Sequence, residues 1–295
     1  MRLKIVSYSY LEVIIIKIGF IGAGKVGFSL GKYFKENNIK VSGYYSRNEY
    51  SAKEATNFTN TKQYKMILDL IDDSDAIFIT TPDSEIEGVW NEIKKLPIEN
   101  KLICHCSGSV SSEVFSNINN HGAYGYSIHP MFAISDKYNS YKNLSKAFIT
   151  IEGNEKHINY LFDLFRGLGN NVAIIDKENK SLYHAASVFV SNLVLGLINN
   201  GVKYLKQCGF EEQKAIEALF PLIEFNLANI KENGLVDSLT GPVERGDLST
   251  VIGHCNALGE MDRELYKKLS MNVLEIAKVK NNNRNYEDLE RFLGE

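Results

Sequence analysis

Hydrophobic positions in the first half of the chain gather in short runs, and between the runs they recur every third or fourth residue. The runs are Ile14 to Ile21, Lys40 to Tyr45, Ala76 to Thr81, Lys101 to His105, Ala123 to Ile128, Ala147 to Glu152 and Asn171 to Ile175. Each reads as a buried strand, and the stretches between them read as amphipathic helices. Strands that alternate with helices form βαβ units, because a parallel pair needs a long crossover to bring the chain back to the same edge. From Glu178 the pattern changes to long helical segments such as "SLYHAASVFVSNLVLGLINNGVKYLKQCG" and "DRELYKKLSMNVLEIAKVK", with no further strand signal. The fold class is therefore α/β: a mainly parallel sheet over residues 1–177, then an all-α C-terminal domain over 178–295. Residues 1–12 read as an extension ahead of the first strand.

The segment "KIGFIGAGKVGFSL" places Gly22, Gly24 and Gly27 as G-x-G-x-x-G directly between the first strand and a helical run. In that context the spacing has a mechanical reading. The first glycine permits a tight turn, the second lets the backbone approach a pyrophosphate, and the third lets the helix pack closely. Gly22, Ala23, Gly24, Lys25, Val26 and Gly27 would then bring backbone N–H groups and the positive helix end to the phosphates. The first domain is thus expected to be a Rossmann-type dinucleotide-binding unit. A site for NAD normally carries an acidic residue at the end of the second strand, where the ribose 2'-hydroxyl lies. Here "SGYYSRN" puts Ser46 and Arg47 at that place. A guanidinium beside a hydroxyl suits a 2'-phosphate, and a charge-assisted contact of this kind contributes about 1.5 to 3 kcal/mol. The expected cofactor is NADP, with NADPH preferred over NADH roughly ten- to hundredfold. Pairing of Arg47 with the nearby Glu49, or an Arg47 turned to solvent, would instead leave an NAD-linked site.

In an open parallel sheet, ligands sit beyond the carboxyl ends of the strands. Thr80, Thr81 and Pro82 stand at one such end, with Ser84 and Glu87 spaced as a capping box for the next helix. Ser107, Gly108 and Ser109 stand at the next, where they would open a helix, and His129 follows before Pro130. Thr80, Thr81, Pro82 and Ser107 are expected to border the cofactor, with Ser109 and His129 toward a substrate. Cys104 and Cys106 would point to one face of their strand and His105 to the other, which argues against a metal site. In the second half, Lys180 and His184 lie one helical turn apart on a stripe that continues to Asn192. Such a lysine and histidine can handle the proton that accompanies hydride transfer, and Asn192 would contact the substrate. Arg245, in "TGPVERGDL", can grip a carboxylate or phosphate, or pair with Glu244 or Asp247. Asp247 can cap the helix that follows it.

A net charge of −3 and an isoelectric point near 6.1 carry no basic excess for a nucleic-acid partner. Four cysteines without a regular framework fit a reducing, cytoplasmic compartment. Glu12 and Lys17 interrupt the apolar N-terminal stretch, and no small-residue cleavage site follows, so neither a leader nor a membrane anchor is expected.

Taken together, "IGFIGAGKVG", "YYSRN", "TTPDSEI", "HCSGS", "IHPMF", "YHAASVFVSN" and "TGPVERGD" resemble bacterial Rossmann-like proteins whose second half is a helical domain of unassigned function, described as NADP oxidoreductases. The resemblance covers nearly the whole chain from Ile16. More distantly the chain looks like the superfamily of 6-phosphogluconate and 3-hydroxyisobutyrate dehydrogenases, pyrroline-5-carboxylate reductase, prephenate dehydrogenase and ketopantoate reductase. In the sugar-acid members a catalytic lysine is followed four residues later by asparagine; here Lys180 matches and His184 replaces the asparagine. The resemblance implies a helical half that completes the active site and commonly forms a homodimer. The expected function is an oxidoreductase exchanging hydride between NADP(H) and a small carbonyl, imine or hydroxy-acid substrate. The alternative is a sensor that binds NADP(H) without turnover.

Overall fold

The computed structural model describes residues 16–295, so residues 1–12 and the first positions of the expected Ile14 to Ile21 strand lie outside the described residues. Strand β1 (Lys17–Ile21) leads through a glycine turn into α1 (Lys25–Glu36), and the chain continues as β2 (Lys40–Tyr45), α2 (Glu49–Thr59), β3 (Lys62–Gln63), α3 (Ile67–Asp72), β4 (Ala76–Ile79), α4 (Asp83–Ile93) and β5 (Leu102–His105). Then come β6 (Tyr124–Met131), β7 (Phe148–Gly153), α5 (Glu155–Gly167) and β8 (Asn171–Ile174). The strands form one eight-stranded sheet in the order β3-β2-β1-β4-β5-β6-β7-β8. All neighbours are parallel except β6 and β7. Ile18, Phe20, Ile77, Phe78, Ile103 and Cys104 in the central strands are fully buried. Burial on both faces is why these strands read as continuous apolar runs without alternation.

Several local expectations are corrected. The two-residue β3 is too short to leave a periodic signal. Ser107 to Ser109 do not open a helix: the Ser107 Oγ accepts from the N–H groups of Ser109 at 3.2 Å and Val110 at 3.0 Å, a side-chain turn that displaces helical hydrogen bonding. Only two single 3₁₀ turns, Ser112–Val114 and Ile118–His121, occupy the way to β6. The Ser84–Glu87 capping box does not form. Pro82, with φ −53°, stands at the N-cap with no side-chain cap, and α4 starts at Asp83. His129 lies within β6 and not past its end. Pro130 is tolerated there because β5 pairs with β6 only as far as Ser127, so beyond that point β6 has β7 alone as neighbour.

The long helical segment that opens the second half is broken at Val190–Ser191 into α6 (Lys180–Phe189) and α7 (Asn192–Gln207). The chain divides into two compact units at the same place, the first ending at Ser191 and the second spanning 192–295, which keeps α6 with the sheet. The run Lys177–Gln207 has a window of mean hydropathy 1.5 and is long and apolar enough to cross a membrane by composition. Its Lys180, however, is 2% exposed against β6. The second unit consists of α7, α8 (Glu212–Ser238, kinked where Gly234 takes φ +80°), α9 (Pro242–Arg245), α10 (Leu248–Ala257), α11 (Glu260–Lys280) and α12 (Glu287–Gly294). Val243, Val251, Leu274, Ala277, Tyr286, Leu289 and Leu293 form its core. Asp247 caps α10 as its position suggests, its carboxylate accepting from the Thr250 N–H at 3.1 Å.

Candidate functional site

Strand β1 lies between β2 and β4, so the chain runs outward from β1 on one side and resumes on the other, leaving a crevice at the carboxyl ends of β1 and β4. Gly22 turns the chain out of β1 with φ +103°, and a Cβ there would lie 2.9 Å from the Thr80 carbonyl carbon. Gly24 is exposed and extended at the N-terminus of α1, with only the Thr80 oxygen, at 3.9 Å, near a built Cβ. Gly27 is buried, and a Cβ there would fall 2.3 Å from the Thr80 Oγ1. That hydroxyl donates to the Gly22 carbonyl at 2.9 Å and ties the glycine turn to the end of β4.

The crevice opens into a cavity of about 460 Å³ lined by Gly22, Ala23, Gly24, Ser46, Arg47, Thr80, Thr81, Pro82, Glu85 and neighbouring residues. Lys25 and Val26 are the first residues of α1 and do not line it, and Gly27 packs behind it. No acidic side chain occupies the first turn of α1, leaving its positive end for an anion. The Thr81 Oγ1 is buried without a hydrogen-bond partner. An open glycine backbone, an uncompensated helix end and an orphaned hydroxyl on one cavity fit a dinucleotide pyrophosphate. Arg47 pairs with Glu85 of α4, not with Glu49.

A second polar cluster begins beside Pro82. The Asp83 carboxylate accepts from the Ser107 Oγ at 2.6 Å and the Ser109 Oγ at 3.0 Å. The Ser107 carbonyl accepts from the Ser127 Oγ at 3.2 Å, which in turn accepts from the Lys180 ammonium at 2.7 Å. Burial lowers the Lys180 pKa to about 8, against the opposing pull of Glu152, Cys106 and Asp83. Glu152, 2% exposed, is held by the Ser112 N–H and hydroxyl. His129 shares a 2.8 Å hydrogen bond with the Tyr183 hydroxyl. Burial, followed by Lys180 and His184, lowers its pKa to about 4, so it is neutral at physiological pH. The His129 and His184 rings stand 6.2 Å apart, and the His184 Nδ1 is buried without a partner. A Cβ on Gly108 would come within 2.5 Å of that nitrogen and 3.0 Å of the His129 Nε2, so both rings need the glycine.

The expected residues thus separate into groups. Gly22, Ala23, Gly24, Ser46, Arg47, Thr80, Thr81 and Pro82 meet at the cavity, whereas Ser107, Ser109, His129, Lys180 and His184 join in the second cluster. Asn192, the first residue of α7, and Arg245, the last of α9, belong to the second unit. Asp83, Glu85, Ser127, Glu152 and Tyr183 were not singled out by sequence reasoning; only Asp83, as an acid directly after the strand-end Pro82, carried a local signal. His105 is also buried at the end of β5, accepting at Nδ1 from the Ser107 N–H, so its Nε2 carries the proton toward the Ser111 carbonyl. Among the described residues no group of three or more His, Cys, Asp or Glu is arranged to hold a metal ion.

Residues 7–130 match the family model of the Rossmann-like domain. That stretch carries the Rossmann-like domain. Residues 147–273 match a second model, Domain of unknown function (DUF2520), so β7, β8 and α6 of the sheet-bearing unit fall in the second match. No curated protein matches the chain in sequence. Among solved structures, a protein from Thermotoga maritima superposes with a TM-score of 0.72 at 24% identity, covering 90% of this chain and 99% of that one. A candidate NADP oxidoreductase from Bacteroides fragilis gives 0.70 at 22% identity over 88% and 98% of the two chains. A pyrroline carboxylate reductase from Plasmodium falciparum with NADP bound gives 0.60 at 17% identity over 90% and 96%. The Rossmann-like domain and the helices that follow it therefore share a fold with these proteins.

Proposed function

We propose that this chain is an NADP-dependent oxidoreductase that exchanges hydride between NADP(H) and a small carbonyl, imine or hydroxy-acid substrate. The observation that carries the reading is Lys180, a buried ammonium hydrogen-bonded to the Ser127 hydroxyl, its pKa lowered to about 8, one helical turn before His184. A proton donor works best when its pKa lies near the operating pH. The cofactor supplies the hydride chemistry when bound; the glycine turn and the N-terminus of α1 hold its phosphates, and Arg47 with Ser46 faces its 2'-phosphate. Lys180 exchanges the accompanying proton, with His184 beside it as the second candidate. Asp83 fixes the Ser107 and Ser109 hydroxyls, and the neutral His129 orients the substrate. The NADP-bound reductase that shares the fold supports this assignment.

Thermal unfolding with NADPH, NADP, NADH and no ligand tests the cofactor. A ligand at about 100 times its dissociation constant adds roughly 2.7 kcal/mol, a rise of several degrees in melting temperature. The larger shift is expected with the phosphorylated pair, and Arg47→Ala should weaken NADPH binding about ten- to hundredfold while sparing NADH. No shift with any of the four would remove the basis of the reading.

We also propose that the protein is a homodimer through its helical unit. Leu193, Leu195 and Leu197 of α7 and Phe220, Leu222, Phe225 and Leu227 of α8 are all exposed. So many large apolar side chains exposed on two adjoining helices favour burial against a second copy of the chain. Sedimentation equilibrium should give twice the chain mass of 33.3 kDa, and replacing Phe225 and Leu222 by serine should shift it toward a single chain. A monomeric wild type would rule the dimer out.

A further inference from the structure

We propose that Glu85 limits the cofactor selectivity of the Rossmann-like domain by competing with a 2'-phosphate for Arg47. The inference rests on the reading of Arg47 as the 2'-phosphate contact. The two residues come from different elements, Arg47 from the turn after β2 and Glu85 from the first turns of α4, and both line the cavity. Their side chains form an ion pair, with Arg47 76% and Glu85 40% exposed. A guanidinium recognises phosphate best through two parallel N–H donors, and the Glu85 carboxylate already engages one of its nitrogens, Nη2. A 2'-phosphate therefore has to displace the Glu85 carboxylate or share Arg47 with it at close range. A cofactor carrying only a 2'-hydroxyl meets neither requirement.

The strength of the competition is bounded on both sides. An exposed ion pair is worth at most about fivefold in an equilibrium constant, which the phosphate must overcome. A carboxylate left beside the bound phosphate adds a repulsion that salt screens within about 10 Å at 0.1 M. The remaining acid on the cavity wall, Glu92, lies further along α4, almost two helical turns from Glu85, the residue that pairs with Arg47. Glu49 and Asp83 do not line the cavity. Glu85 is thus the acid that the geometry places on the guanidinium.

The test is titration of NADPH and of NADH into the full-length protein, read as dissociation constants from the heat of binding. It uses the wild type, Glu85→Gln, Arg47→Ala and the double variant, with Glu87→Gln, on the same helix and outside the cavity, as control. Glu85→Gln should tighten NADPH about three- to tenfold and leave NADH within about twofold. The gain should vanish in the Arg47→Ala background and shrink at 0.5 M salt, and Glu87→Gln should behave as wild type. An unchanged or weaker NADPH constant in Glu85→Gln, with Arg47→Ala still selectively impaired, overturns the role of Glu85 and leaves that of Arg47 standing. An equal gain in the Arg47→Ala background also overturns it, since the carboxylate would then act on the ligand through charge alone. Arg47→Ala without selective loss of NADPH brings down both readings.

Discussion

Replacing Lys180 by methionine is expected to lower kcat about a hundred- to ten-thousandfold while leaving the NADPH dissociation constant within about twofold, because a positioned proton donor contributes on that scale. Lys180 does not line the nucleotide cavity, so its loss acts on chemistry and spares cofactor binding. Its hydrogen bond to Ser127 and its charge beside the buried Glu152 are lost, but a buried charge is lost with them and Glu152 keeps its two donors on Ser112, so the changes oppose each other. The melting temperature should therefore stay within a few degrees of wild type. The pH profile adds a check with a definite sign. Reduction consumes a proton, so a lysine with its pKa lowered to about 8 supports it only while protonated, and the reductive kcat/KM of the wild type should fall as pH rises through about 8. That descending limb should be missing from the residual activity of Lys180→Met. His129, with its pKa lowered to about 4 by burial, stays neutral across the whole range and contributes no limb above pH 5. A variant with full turnover would transfer the proton to another donor, His184 first. A wild type that binds NADPH and turns over no carbonyl or imine would point to the sensor.

Gly27→Val should destabilise the Rossmann-like domain by about 3 kcal/mol, the upper end of the usual cost of overpacking. The first added carbon would already lie 2.3 Å from the Thr80 Oγ1 and 2.9 Å from the Gly22 oxygen. Relief requires α1 to move off the end of β4, which breaks the hydrogen bond from Thr80 to Gly22 and shifts the Gly22–Gly24 turn. Melting temperature is expected to fall by roughly 6 to 12 °C, taking about 2 to 4 °C per kcal/mol for a unit of this size. The NADPH dissociation constant should rise at least tenfold. A valine variant with wild-type melting and wild-type affinity would mean that α1 can shift without disturbing the turn.

The features legible in the sequence are those whose causes are local. The glycine spacing, the β2 strand at Lys40–Tyr45 and the Asp247 cap each depend on residues adjacent or one turn apart, and the structure reproduces them. Pairings between distant elements left no such trace. Lys180 meets Ser127 across 53 positions and Arg47 meets Glu85 across 38, and neither partner carries a local pattern that names the other. The expected alternative for Arg47 was Glu49, the acid nearest in sequence, whereas the acid nearest in space comes from α4. Ser107 shows a different limit. Serine and glycine after a strand suit a helix start and a side-chain turn equally well, and its Oγ hydrogen bonds select the turn. The break at Val190–Ser191 contains neither glycine nor proline, so the apolar periodicity ran through it unmarked.

The position of that break bears on how such a protein can diversify. Because the chain parts at Ser191, the segment with Lys180, Tyr183 and His184 travels with the sheet that carries Ser127 and His129. Recombination at Ser191 would pass on the crevice together with Lys180, Tyr183, His184, Ser127 and His129 as one inheritable block. A crossover at the start of the helices, before Lys180, would separate that lysine from Ser127 and leave the buried Glu152 without its cationic neighbour. A cut at Ser191 therefore leaves the residues proposed to handle the proton with their own neighbours, although one family match, residues 147–273, runs across that point.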